Sequence, residues 1–308
     1  MPYRKVGKGD RISEYVLVEE LGQGGFACVW KAEHSQIPGK YVALKIPKNP
    51  QGLTYLKKEA LLQHQLDHPH IVKTVGLNVQ EDPPYFMMEC VEGRNLRQLV
   101  KEEGLLPPAD AIEIACQVCE ALSVAHARGI FHLDIKPENI LVQKRPREEP
   151  GRPRPGAAYF VKITDLGLGA DARPRQSEIL LSRRASDETA GGFAGTLFYA
   201  APERVAGRPG DARSDLYSLG VVLYEMLTGA LPLGLDLPSE LNPVVTPELD
   251  AACRRALAID ADRRFRTAGE MAAHLRQARQ ALLLRKTLVG RPPRRPAEPL
   301  RRTPPVSP

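Results

Sequence analysis

Five short groups of residues stand out for the chemistry their types can support. Leu21-Gly22-Gln23-Gly24-Gly25-Phe26-Ala27-Cys28-Val29 is a glycine-rich turn between two strand-like runs. Glycines permit close backbone approach and leave N–H groups unobstructed, as a phosphate requires. A dinucleotide fingerprint would need a helix directly after the glycines; a strand pattern follows instead, so that reading falls. Val42-Ala43-Leu44-Lys45 sets a lysine on the third strand, and Glu59 lies in the next helix within reach of a fold-back ion pair. His132-Leu133-Asp134-Ile135-Lys136-Pro137-Glu138-Asn139 combines an acid, a base and an amide in one loop. Asp165-Leu166-Gly167 follows a short strand, and Ala201-Pro202-Glu203 closes the next loop. Each group alone is weak, but their order and spacing together point to one site.

The elements that must position these residues are legible from periodicity. Strand-like runs cover 15–21, 26–32 and 41–46, and a helical pattern covers 53–66 before His68-Pro69-His70 stops it. Strand candidates at 71–77 and 85–91 complete a five-stranded sheet with one helix. After Glu92-Gly93 the pattern turns helical, at 94–103, 108–128, 214–229, 248–258 and 268–285, with short strands at 140–142 and 160–163. Residues 143–157 are dominated by Pro and charge and read as a flexible insert. The Pro/Arg-rich end reads as a disordered tail.

Composition bounds the function. The chain has 308 residues, 43% hydrophobic and 26% charged, which excludes collagen, coiled coil and wholesale disorder. The greasiest stretch, 216–237, is interrupted by Glu225 and Pro232, so no transmembrane helix is expected. The first residues lack an apolar h-region, which argues against secretion. The net charge is +6, but 276–308 carries +8 and 143–157 carries +3; removing both from the total leaves −5. The basic character thus sits in the two Pro/Arg-rich segments, unlike a folded nucleic-acid-binding surface. Five scattered cysteines suit a reducing cytoplasm. Cys116 and Cys119 fall within one apolar-periodic helix without a second pair and read as core thiols.

In these motifs the chain resembles the eukaryotic-type protein kinase family, including its bacterial members, from about residue 15 to 279. The resemblance implies an α+β bilobal fold: a small five-stranded antiparallel sheet with one helix, and a larger, mainly helical lobe. It divides the chain into an N-terminal extension (1–14), an N-lobe (15–89), a C-lobe (90–281) and a basic tail (282–308). The C-lobe would hold the insert 143–157 and an activation segment 165–203. The implied cofactors are ATP and Mg2+. Lys45 would hold the α- and β-phosphates and pair with Glu59. Asp134 would orient the substrate hydroxyl and accept its proton, and Lys136 would steady the γ-phosphate. Asn139 and Asp165 would hold magnesium. Leu21, Gly22 and Gly24 would cover the nucleotide. Val29, Ala43 and Leu141 would sandwich the adenine, beside Met88 at the gatekeeper position. The hinge is Glu89-Cys90-Val91, where the Glu89 carbonyl and Val91 N–H would meet the adenine edge. Glu89 and Glu92 would disfavour a Cys90 thiolate.

Lys136, and Gly195-Thr196 ahead of Ala201-Pro202-Glu203, match the serine/threonine pattern, with Thr196 contacting Asp134 and Lys136. Asp215 would tie down the catalytic-loop backbone, and Arg264 would pair with Glu203. Five positions depart from the family. Ala27 replaces a glycine, and Leu166 replaces the usual Phe. Leu133 replaces an arginine that pairs an activation-segment phosphate, although Ser177, Ser182, Ser186 and Thr189 lie in that segment. Gln63 and Thr74 occupy usually apolar sites, which leads us to expect either a hydrogen bond between them or partial exposure. The segment 229–247 is short, so the helix usual there should be reduced or missing.

The leading reading is therefore an active serine/threonine kinase of protein substrates, autophosphorylating and cytoplasmic. A pseudokinase scaffold would share the fold; the retained set Lys45, Glu59, Asp134, Asn139 and Asp165 argues for turnover. A small-molecule phosphotransferase would lack the Ala201-Pro202-Glu203 and Ser214-Asp215 elements. Nucleic-acid binding through the tail is disfavoured against a solvated linker, and the tail could instead carry binding partners.

Overall fold

The computed structural model describes residues 3–145, 158–166, 195–234 and 236–289. Six antiparallel strands form the first lobe. They are β1 (Arg11–Ile12), β2 (Tyr15–Gln23), β3 (Ala27–His34), β4 (Tyr41–Pro47), β5 (Thr74–Asn78) and β6 (Tyr85–Glu89), in the order β1-β2-β3-β4-β6-β5. This corrects the expected five. The added strand is two residues long and turns through Ser13 at φ 50°, without the glycine that marks a tight hairpin in a sequence. Ile12 nevertheless packs in the core at 3% exposure, beside Tyr15, Leu17 and Trp30.

Alternation along the strands assigns two faces. Val42, Leu44, Ile46 and Tyr85 point to the Trp30 side. Ala43, Phe86 and Met88 point the other way, against Leu56 and Ala60 of α1 (Pro50–His64). That helix opens three residues before the expected start. The Asn49 side chain caps Gly52 N at 2.9 Å, and Pro50 suits the first helical position. Gly52 brings the helix start against the glycine-rich turn, because a Cβ there would lie 2.3 Å from the Phe26 carbonyl oxygen.

Strand β5 begins at Thr74, later than expected. Ile71 bridges instead to Ile163, and Val72 N donates to the Ile163 carbonyl at 3.0 Å, which stitches the two lobes together. The expected hydrogen bond between Gln63 and Thr74 does not form, and partial exposure holds for Thr74 but not for Gln63. Gln63 is fully buried and donates Nε2 to the Val72 carbonyl at 2.7 Å; its Oε1 and the Thr74 hydroxyl are buried without partners.

The second lobe contains α2 (Leu96–Glu103), α3 (Pro108–His126), α4 (Pro202–Val205), α5 (Ala212–Thr228), α6 (Pro238–Leu241), α7 (Pro247–Ala256) and α8 (Ala268–Val289). A three-stranded sheet, β7 (Arg94–Asn95), β8 (Ile140–Lys144) and β9 (Tyr159–Ile163), lies beside α3. Helix α5 is buried along most of its length, and Gly220 allows close contact with α7, since a Cβ would sit 2.6 Å from Ala256 Cβ. Cys116, Cys119 and Cys253 are buried in this core, and all five cysteines are free. Between Gly229 and Pro247 the described residues hold only the four-residue α6. Helix α8 runs to Val289, so it takes in residues 282–289 of the segment expected as tail. The rest of that tail, residues 146–157 and most of the activation segment lie outside the described residues. Among the described residues no helix is long and apolar enough to cross a membrane.

Candidate active site

Lys45 shares its strand face with Ala43, two residues earlier, and therefore points at α1 rather than at the Trp30 cluster. Its Nζ lies 2.8 Å from both carboxylate oxygens of Glu59 and 2.9 Å from Asp165 Oδ1. Burial alone would lower the Lys45 pKa, but the charges of Asp165 and Glu59 outweigh it and hold the ammonium protonated above its usual range. Burial likewise works against the Asp165 carboxylate, and Lys45 overrides it, keeping the group below its ordinary value.

The loop carrying Asp134 is held from beneath by α5. Asp215 Oδ2 accepts from His132 N at 2.9 Å and Oδ1 from Leu133 N at 2.6 Å. His126 Nε2 stands 2.8 Å from the same carboxylate. Leu133 and Asp165 both adopt left-handed backbone, at φ 59° and 64°, which non-glycine residues take up only where the surroundings over-determine it. His132 Nε2 lies 2.9 Å from the Thr164 carbonyl, and Thr164 N donates to the Asn139 carbonyl at 3.0 Å. The loop and the Asp165 segment are thus fixed to each other.

Within the loop, Lys136 Nζ is 2.9 Å from Asp134 Oδ2. Asn139 Nδ2 donates to the Asp134 carbonyl at 2.8 Å and to its Oδ2 at 3.0 Å. Asn139 commits its amide nitrogen to Asp134, and its Oδ1, like the Asp165 carboxylate, is an oxygen of the kind that could hold Mg2+.

Val29, Val91 and Leu141 pack partly buried against the cluster of Ala43, Met88, Leu56 and Phe86, so the expected adenine walls meet in one place. Gly24 N donates to the Ala27 carbonyl at 2.9 Å, and Lys48 Nζ holds the Gly24 carbonyl at 2.7 Å. Leu21 is exposed and stands apart from the buried clusters. A Cβ on Gly22 would meet nothing within 4 Å, so packing does not demand that glycine. The side chain of Thr196 lies outside the described residues.

Behind the loop, Arg264 Nη2 pairs with Glu203 Oε2 at 2.8 Å, and Ser214 Oγ donates to Glu203 Oε1 at 2.6 Å. Two further residues were not legible from the sequence. Lys162 Nζ pairs with Glu89 Oε1 at 2.8 Å, and Lys73 N donates to that same oxygen at 2.7 Å, so the hinge side chain is tethered to β9. Arg97 of α2 joins Glu138, Glu225 and Tyr199. Neither residue lies in a motif, and both act through partners far along the chain.

Known proteins resemble this chain in sequence and in fold. The family model described as protein kinase domain matches residues 15–297. A probable serine/threonine-protein kinase of Clostridium perfringens is 33% identical over 288 residues, covering 87% of this chain and 38% of that protein. Serine/threonine-protein kinase PknB of Mycolicibacterium smegmatis is 35% identical over 284 residues, covering 85% of this chain and 42% of PknB. The chain therefore spans less than half the length of these relatives. Among solved structures, a double mutant of the Mycobacterium tuberculosis PknI kinase domain aligns with a TM-score of 0.65 at 24% identity, covering 89% of this chain and 99% of that one, and so shares the fold. Rad53 1-466 in complex with AMP-PNP aligns with a TM-score of 0.62 at 28% identity, covering 85% of this chain and 64% of that one. With the matched region spanning all five motifs and both lobes, the chain belongs to the protein kinase domain family.

Proposed function

We propose that the chain is an ATP- and Mg2+-dependent serine/threonine protein kinase, built from an N-lobe and a C-lobe that meet at Glu89-Cys90-Val91. The observation that carries this reading is the convergence of Lys45, Glu59 and Asp165 with the loop of Asp134, Lys136 and Asn139. ATP bound there would supply the phosphoryl group, and magnesium would neutralise its charge. Asp165 and Asn139 Oδ1 offer the oxygen ligands for the metal. Lys45, oriented by Glu59, exchanges Asp165 for phosphate oxygens. The Asp134 carboxylate orients a serine or threonine hydroxyl and takes its proton, while Lys136 supplies positive charge beside it. Val29, Ala43, Met88 and Leu141 enclose the base, with the Glu89 carbonyl and Val91 N–H at its edge. Leu21, Gly22 and Gly24 cover the phosphates from the first sheet. A cytoplasmic location accords with ATP use and with five free thiols.

The test is transfer of radiolabelled phosphate to a generic basic protein. Asp165→Ala should abolish transfer. Asp134→Asn should reduce it severely while nucleotide binding survives, because the base is lost and the phosphate contacts remain. Nucleotide binding by the wild-type chain without any transfer would favour the pseudokinase alternative.

A further inference from the structure

Beside the Asp134 loop, two carboxylates from different elements share one guanidinium. Glu138 lies in the turn Pro137–Asn139, and Glu225 lies near the end of α5 with its side chain 9% exposed. Arg97, in the first turn of α2, donates Nε to Glu138 Oε1 at 2.9 Å and Nη1 to Glu225 Oε1. Its Nη2 meets the Tyr199 hydroxyl, which in turn donates to Glu225 Oε2 at 2.6 Å. Tyr199 stands two residues before Ala201-Pro202-Glu203. The cluster therefore joins the turn after Asp134 to the segment before Ala201.

The inference rests on the kinase reading. An extended peptide advances about 3.3 Å per residue. If its hydroxyl sits at Asp134, residues within about three positions of it pass over this face. Two carboxylates, one of them buried, make a strong cation site, and arginine suits such a pair because its planar fork offers five donors. Here the cation is the chain's own.

We propose that Arg97 fills what would otherwise be a site for a basic substrate residue, so the enzyme selects serines and threonines that lack a neighbouring Arg or Lys. Both Glu225 oxygens and Glu138 Oε1 are already engaged. A substrate guanidinium would have to displace one held at high effective concentration by the fold, and would add a second positive charge beside it.

The experiment measures kcat/KM on matched serine peptides carrying Arg or Ala at each of the three positions on either side of the acceptor. The full chain is assayed as wild type, Arg97→Lys, Arg97→Ala and Arg97→Ala with Glu225→Gln. The wild type should show no preference for Arg, and Arg97→Lys, which keeps the cation, should match it. Arg97→Ala should favour Arg over Ala on the order of tenfold at one or more positions, as two unpaired carboxylates would. Adding Glu225→Gln removes the uncompensated buried charge and leaves Glu138. This variant should fold even if Arg97→Ala does not, and it should show a reduced but measurable gain. General loosening of the fold would not produce a gain that depends on Glu225. A wild-type preference for Arg, or no gain in either alanine variant when its melting curve shows a folded protein, overturns the proposal. Transfer by the wild type to a generic protein shows that the kinase reading survives such a result. Absence of all transfer sinks both.

Discussion

Lys45 Nζ stands 2.9 Å from Asp165 Oδ1, a contact between residues 120 apart in the chain. The same ammonium holds both oxygens of Glu59. One buried cation therefore binds the strand β4, the helix α1 and the segment after β9 into a single arrangement. Each of the two carboxylates depends on it for compensation.

Lys45→Met should unfold more readily than wild type by about 3 kcal/mol, because burial already works against the Glu59 carboxylate, 1% exposed, and the variant removes the cation that offsets it. Adding Glu59→Gln should recover most of that loss while phosphate transfer stays absent. Urea unfolding of the two variants checks this, and equal stability of Lys45→Met and wild type would refute it. Acid acts on the same contact. The folded-state pKa of Asp165 is depressed, so its contribution is present at neutral pH and is lost as pH falls below about 4, through the folded value.

Thr74→Val should stabilise the protein by about 1 kcal/mol. The hydroxyl is buried without a partner, and valine keeps the shape while removing the unsatisfied group. Thermal and chemical unfolding would both register the gain. A loss of stability would mean that the hydroxyl is satisfied, for example by a bound water.

Cys90 should alkylate slowly at neutral pH, and more slowly still with saturating ATP and magnesium. Burial raises its thiol pKa, Glu92 and Glu19 add to the rise, and Lys31 only partly offsets them. The Glu89 carboxylate, expected to contribute, is turned toward Lys73 and Lys162 instead. The rate should climb steadily as pH approaches and passes the raised pKa. Intact-protein mass spectrometry with peptide mapping would follow it. Equal labelling with and without nucleotide, in a protein shown to bind ATP, would place this cysteine away from the adenine edge.

Leu133 offers a further expectation. Its N–H is taken up by Asp215 and its side chain carries no charge, so it cannot order a phosphorylated segment. Alanine at Ser177, Ser182, Ser186 and Thr189 together should leave activity toward a generic substrate within severalfold. Loss of most activity in steady-state assays would reveal another cation reading a phosphate there.

The parts of this protein that its sequence determines unaided are those in which neighbouring residues carry the information. Alternation in β4 sends Ala43 and Lys45 to one face and Val42 and Leu44 to the other. Gly229 marks the end of α5. The motif spacings brought Lys45, Glu59, Asp134, Asn139 and Asp165 into view as one set. What only the tertiary structure decided depends on partners distant in the chain. The strand at Arg11–Ile12 is too short for a periodic signal and turns on a serine. Gln63 bonds the Val72 carbonyl and not Thr74, a choice set by backbone position. Lys162 and Arg97 resemble any surface cation until Glu89 and Glu225 are brought to them by packing. A charge in a sequence says only that it needs water or a counter-charge, and which of these it obtains is settled when the elements close around it.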